Sequence, residues 1–461
     1  MLNYSKLEGI TVSTNYDVII RNGILVCPDG LKKADIAVAD EKIVKISEEI
    51  SGGSKETIDA AGNYVFPGTT DGHVHFNDPG RTEWETIMTG SSALAAGGGV
   101  AYFDMPLNCS PCTLDAKNFN AKLAVARKDS LVDYGFWGGL TPRNLDKLEE
   151  LAECGVIGFK AFSCASGIDE FERMDDYTAY VGMEKLAKLG LPLMVHCENA
   201  EITRDLTAIA LANNKTTVRD YFAARPPITE IENVSRMISF AEETGCKLII
   251  AHISTAKAVE LVTQARSRGV DVCCETIGHY LILIDDDVER LGTVAKCSPP
   301  IRDKENQMKM WAKLFNSEIA FVSSDHSPCD PQLKDGEFLK VWGGISACQT
   351  TLPALLTHAY QDRKVPLGDI AKLTSQNVNE IFKIPGKGKI ALGYDADFAL
   401  VDLAQEFTLQ AEDLFYKHKV SPYVGNKFSG MVRQTILRGT TVFKDGKIVS
   451  EPIGKHLKPN L

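Results

Sequence analysis

The chain has 461 residues, a formal net charge of -11 and 44% hydrophobic residues. That length calls for a large core plus a smaller module rather than one ordinary domain. The acidic balance disfavours nucleic acid or an anionic membrane as partner, since both need basic patches, and no apolar run approaches the ~20 residues of a membrane span.

Met1 to Tyr16 is polar and lacks the apolar run of a secretory leader. Residues 17–66 then read as short β-strands, with Val18-Ile-Ile-Arg-Asn-Gly-Ile-Leu-Val26 alternating around a turn. The stretch from Thr435 to Val449 echoes this pattern at the other end of the chain. Two β-rich ends flanking a long middle predict a small β-sandwich module built from 1–66 and 386–461, around a central unit at 67–385.

The middle alternates apolar strands with amphipathic helices. The predicted strands are 69–75, 100–105, 131–138, 156–162, 191–196, 247–253, 270–276 and 319–324; the helices between them include 145–154, 182–189 and 256–268. Eight such βα repeats predict an α/β fold, a (β/α)8 TIM-type barrel with its site at the C-terminal strand ends. A doubly wound open sheet would want an early glycine-rich phosphate loop. Gly97-Gly-Gly99 precedes a strand and reads as a helix cap and turn instead.

The twelve cysteines, many in apolar runs such as Cys197, Cys273 and Cys274, read as buried thiols of a reducing compartment, the cytoplasm. Cys109-Ser-Pro-Cys112 has C-x-x-C spacing, but no second pair completes a zinc site.

The chemistry gathers at the strand ends. His73-Val-His75 closes the first strand, and residues two apart on a strand share a face, so both imidazoles can meet one metal ion. Lys160 lies in the fourth strand, His196 ends the fifth, His252 the sixth, and Asp325 with His326 the eighth. Singly, each is better read as a structural residue. Together, four histidines, a lysine and an aspartate fall at one end of the predicted barrel. An ammonium in an apolar strand beside metal cations is costly. A neutral Lys160 amine can instead add CO2, and the carbamate carries a negative charge and two oxygens on an arm long enough to bridge two metals. Imidazole and carboxylate ligands suit zinc, with cobalt, manganese or nickel also accommodated.

These residues sit in longer stretches: His73 to Glu85 (HVHFNDPGRTEWE), Asp104-Met-Pro-Leu-Asn108, Gly158-Phe-Lys-Ala-Phe162, His196-Cys-Glu-Asn199, Lys296-Cys-Ser-Pro-Pro-Ile-Arg302, Ser324-Asp-His-Ser-Pro328 and Trp342-Gly-Gly-Ile345. On them the chain resembles the cyclic amidohydrolases over nearly its whole length, most closely their bacterial allantoin-hydrolysing branch. The resemblance implies that His73, His75 and Asp325 bind one metal, that His196 and His252 bind the other, and that carboxylated Lys160 bridges them. It also implies a homotetramer that opens allantoin to allantoate by a hydroxide held between two divalent ions. Asp325 would act as general base and then acid. Ser298 and the backbone near Gly343 would hydrogen-bond the ring, with Asn108 a further contact.

Dihydroorotase relatives carry an arginine just after the His-x-His pair, where this chain has Phe76 and Asn77; dihydropyrimidinase relatives place a tyrosine after the lysine, where this chain has Ala161 to Ser166 without one. Those two activities, and a non-catalytic scaffold, are the alternatives. Thr276-Ile-Gly-His279 departs from the Cys-Pro that relatives place before this histidine, so His279 is read as structural. Residues 328–341 read as a loop beside Asp325 that could act as a lid.

Overall fold

The computed structural model describes residues 16–461, so the expectations for Met1 to Asn15 lie outside the described residues. Eight parallel strands form the barrel: Thr69–Val74, Gly99–Asp104, Asp133–Phe136 continued by Gly138–Gly139, Phe159–Phe162, Leu193–His196, Leu248–Ile250, Val272–Ile277 and Phe321–Ser323. All eight predicted strands are present, most of them trimmed by a residue or more. They are buried almost throughout, as strands covered on both faces must be.

The ring closes where Val74 bridges in parallel to His326 and the His75 N–H donates to the His326 carbonyl at 2.8 Å. The third strand breaks at Trp137, a fully buried residue whose indole N–H donates to the Gly72 carbonyl at 3.1 Å. Phe103, Met105, Ile157, Met194, Ile249 and Phe321 pack with it.

The connecting helices have readable ends. The helix Asp176–Leu189 starts at Asp175, whose carboxylate accepts from the Thr178 N–H, and stops at Gly190 with φ of 68°. The sequence placed its start six residues late, at Gly182, because Asp176 to Val181 carries polar and exposed aromatic residues.

Both chain ends do enter one nine-stranded sheet. Tyr16–Cys27, Gly30–Ala39, Lys42–Ser47, Ser54–Asp59 and Tyr64–Pro67 supply one half, and Phe398–Thr408, Lys427–Leu437, Thr440–Lys444 and Lys447–Ile448 the other. The halves join where Phe398–Val401 runs antiparallel to Tyr64–Pro67. A separate apolar core, with Ile20, Ile36, Val65, Phe398, Leu400 and Ile436, fills this module. An ionic clasp ties it to the barrel: Lys387 Nζ lies 2.7 Å from Asp133, 2.9 Å from Asp395 and 2.7 Å from Asp397.

Candidate metal centre

The C-terminal strand ends deliver their side chains into one cavity of about 430 Å³. His73, His75, His196, His252 and Asp325 all line it. A larger cavity, about 610 Å³, opens at the opposite end of the barrel around Lys247, Cys273 and Ile319, and holds none of these residues.

Backbone geometry aims two of them. His252 and Asp325, each two residues past its strand, have φ of 32° and 44°. The left-handed region disfavours side chains with a Cβ, and such conformations cluster at functional sites. Asp71 braces the same edge, its Oδ1 accepting from the backbone N–H groups of His73 at 3.2 Å and Ser324 at 3.1 Å.

The candidate ligating atoms form two groups. His73 Nε2 and His75 Nε2 lie 3.3 and 3.4 Å from Asp325 Oδ1. His196 Nδ1 lies 3.1 Å from His252 Nε2. Lys160 is fully buried, and among the described residues its Nζ has no hydrogen-bond partner. Phe162 covers it at 5.3 Å.

Carboxylates behind the histidines orient them. His73 Nδ1 faces Glu275 Oε1 at 2.9 Å, and His196 Nε2 faces Glu198 Oε2 at 2.8 Å. Arg225 donates to the same Glu198 oxygen at 2.5 Å. A hydrogen bond on one ring nitrogen leaves the other free to face the cavity.

Titration follows from burial and neighbours. Burial, then the Lys160 charge, holds His73 well below the usual imidazole range; burial and His196 do the same to His252. Burial lowers the Lys160 amine to about 8, against the pull of Glu275 and Asp325. Burial raises Glu275 to about 8 and Asp71 to about 7. Glu198 goes the other way: burial opposes its ionisation, but Arg225 and His196 hold it at about 2. Burial also opposes ionisation of Asp325, yet the facing imidazoles of His73, His75 and His252 hold its carboxyl below the usual range.

Asn108, Ser298 and Gly343 line the same cavity. Asn108 Nδ2 lies 3.3 Å from His75 Nδ1, and Ser298 Oγ lies 2.6 Å from the Tyr221 hydroxyl. Arg81 is held outside by Glu170 at 2.5 Å. Trp342 lines the cavity and Trp84 does not; it packs edge-on against Trp342 at 4.9 Å. His279 Nδ1 lies 2.9 Å from the Tyr423 hydroxyl, and the residue is not part of the cavity lining. His326 turns away, its Nδ1 accepting from the Ala347 N–H at 3.1 Å.

Sequence reasoning missed Glu275, Glu198, Arg225 and Lys296. Glu275 was visible as one acid in the apolar run Val272-Cys-Cys-Glu-Thr-Ile277, and Glu198 as the residue two after His196. Lys296 opens the stretch Lys296-Cys-Ser-Pro-Pro-Ile-Arg302, which marked the resemblance without giving it a role; Arg225 carries no local signal.

A (β/α)8 barrel that collects four imidazoles, a carboxylate and a buried amine at its C-terminal mouth has the make-up of an amide-hydrolysing enzyme. The chain belongs to the Amidohydrolase family, whose model matches residues 64–442. It is 82% identical over 447 residues to an allantoinase of Desulfitobacterium hafniense (strain DSM 10664 / DCB-2), covering 97% of this chain and 100% of that one. It is 49% identical to an allantoinase of Rubrobacter xylanophilus, covering 96% and 98%. Among solved structures, an L-hydantoinase (dihydropyrimidinase) from Arthrobacter aurescens matches with a TM-score of 0.94 at 32% identity, covering 96% of this chain and 100% of that one. Among the described residues no helix is long and apolar enough to cross a membrane.

Proposed function

We propose that the chain hydrolyses the cyclic amide of allantoin to allantoate, in purine degradation, with two divalent metal ions held by His73, His75, Lys160, His196, His252 and Asp325. The observation that carries the chemistry is Lys160: a fully buried amine without a hydrogen-bond partner among the described residues, electrostatically coupled to His73, His196, His252 and Asp325. The allantoinase relatives support the choice of ring.

The donor set fits such ions. Two neutral imidazole nitrogens 3.1 Å apart, at His196 and His252, repel unless a proton or a cation lies between them. The His73, His75 and Asp325 atoms converge in the same way. Burial lowers the Lys160 amine toward its free form, the form that adds CO2 as a carbamate. Zinc suits these ligands, as do cobalt, manganese and nickel.

Bound, the ions would lower the pKa of a water molecule and polarise the scissile carbonyl. The residues of the chain do the rest. Asp325 accepts a proton from the attacking water and passes it to the ring nitrogen as the C–N bond breaks. A C–O bond forms in its place. One water proton ends on the leaving nitrogen, and the other is released from the new carboxyl group. Glu275 and Glu198 hold His73 and His196 so that their other nitrogens face the cavity. Asn108, Ser298 and the backbone at Gly343 take the ring's polar groups, while Leu107, Phe162 and Trp342 exclude water.

The hydantoinase structures favour hydantoin as the second reading, since it is the same five-membered ring without the ureido arm. Side-by-side turnover of allantoin, hydantoin, dihydrouracil and dihydroorotate with added zinc, cobalt or manganese decides between them. Preference for allantoin, abolished by a chelator, is expected. Preference for another ring would overturn the substrate, and no turnover on any ring with metal bound would overturn the activity.

A homotetramer in the cytoplasm belongs to the same reading. Exposed Tyr177, Ile209 and Ile228 leave apolar surface that further copies would cover, and the twelve cysteines are all free. A monomeric native mass at micromolar concentration would refute the assembly.

A further inference from the structure

Lys296 lines the candidate site but belongs to neither the ligands nor the carboxylates behind them. It is 5% exposed, and among the described residues its amine has no carboxylate within ion-pair distance; burial, then the Arg225 and Lys334 charges, lowers it to about 7. Such a buried polar group is costly unless its hydrogens are used. Here they are used on one target. Nζ donates to the Leu339 carbonyl at 3.0 Å and to the Val341 carbonyl at 2.6 Å. The rings of Tyr221 and Phe338 lie 4.9 and 5.7 Å from the same nitrogen.

Those carbonyls belong to the segment that forms one wall of the cavity: Leu333, Leu339, Val341, Trp342, Gly343 and Gly344. The wall is tied at further points. The Gly344 N–H donates to the Lys296 carbonyl at 2.7 Å, Lys334 Nζ donates to the Gly344 carbonyl at 2.7 Å, and the Trp342 N–H donates to the Leu333 carbonyl at 2.9 Å. Gly344 has φ of 149°, and a Cβ there would lie 2.2 Å from the Ser327 carbonyl oxygen, so the segment crosses Ser327 where a side chain cannot fit. A free loop needs no such fastening.

We propose that Lys296 is a positioning residue that grips the 339–341 backbone, and so sets the place of Trp342 and Gly343 against the ring and its substituent. The inference rests on the reading of this cavity as the ring site, which gives Gly343 its substrate. Removing the ammonium loosens the wall while leaving the metal donors alone. The consequence falls on binding: the ring still meets Asp325, but the contacts from Trp342 and Gly343 are no longer held in advance.

The test uses full-length metal-loaded enzyme with Lys296→Met, which keeps the aliphatic stem, Lys296→Arg, which keeps the cation, and Lys334→Met, which loosens the other end of the wall. Hydrogen exchange is followed over residues 333–344, together with metal content and the kinetics on allantoin and hydantoin. Lys296→Met is expected to speed exchange in that segment about 10-fold or more. It should raise KM for allantoin about 10-fold, keep kcat within about 3-fold and leave the metal content unchanged, with Lys296→Arg recovering part of the loss. If Lys296→Met does not fold, Lys334→Met must show the faster exchange. Exchange at the wild-type rate, or a fall in kcat with lost metal, overturns the proposal. If the wild-type enzyme turns over neither ring, the functional reading fails, and the exchange data still judge the grip of Lys296 on the wall.

Discussion

Lys160 and Lys387 are both removed from water, at 0% and 4% exposure, and the fold treats them in opposite ways. Lys387 sits at the junction of barrel and sheet module with three carboxylates within 2.9 Å. Those carboxylates raise its pKa despite burial, so it is charged at every physiological pH. Lys160 has no hydrogen-bond partner, and burial lowers its amine to about 8. A fully paired buried charge holds structure together, whereas an unpaired one is a group kept ready for something the protein alone does not contain. Lys122 follows the first pattern, at 2.7 Å from both Asp104 and the Met105 carbonyl.

The comparison can be broken most directly at Lys160. Lys160→Ala should lower kcat/KM on allantoin by about 10³-fold or more, as expected for losing a group that assembles the metal site. Metal content should fall below two ions per chain, and added short carboxylic acids should restore part of the activity. Full activity with full metal content would remove Lys160 from the site.

Asp325→Asn should keep the fold and cost about 10²–10⁴-fold in kcat, the range of positioned acid–base catalysis. Circular dichroism and steady-state rates read the two effects separately.

Lys387→Met is the matching change at the junction. It leaves Asp397 without its ion-pair partner, while Arg438 still meets Asp133 and Lys42 still meets Asp395, and should cost about 3–5 kcal/mol, read from the denaturation midpoint. The enzyme that stays folded should turn over within about 2-fold of wild type. Loss of turnover without loss of stability would undo the distinction between the two lysines.

Glu275→Gln sharpens the contrast from behind the site. It should cost about 10–100-fold in metal affinity or activity, because His73 loses the carboxylate that fixes its ring. Metal titration against a competing chelator measures it.

The smallest effect is on acid stability. Burial pushes His456 down from 6.5 to about 4. Between those values the unfolded chain binds a proton that the folded chain refuses, so stability falls as pH drops from about 6.5 to about 4. His456→Gln should flatten that slope by roughly 1–3 kcal/mol, measured as unfolding free energy at pH 4.5 and 7.

Much of this was legible along the chain. Barrel strands announce themselves as short apolar runs between amphipathic helices, because both faces of each strand are covered. The convergence of the candidate ligands was legible too: His73 and His75 share a face by the two-residue period of a strand, and barrel sites lie at strand C-termini. The boundaries were less so. The strand at 247–253 is regular only over Leu248–Ile250, since the chain turns to reach the left-handed conformation of His252.

The residue types and spacing in the sequence therefore determined the barrel, the gathering of its two ends into one β-module, and the candidate ligands, because each depends on periodicity within a few neighbours. Only the tertiary structure decided what stands behind those ligands. Glu275 reaches His73 from 202 positions away, Arg225 reaches Glu198 across 27, and Lys296 grips carbonyls 43 and 45 residues further on. Such contacts leave no local pattern, because they are set by how the strand ends and loops pack around the mouth of the closed barrel.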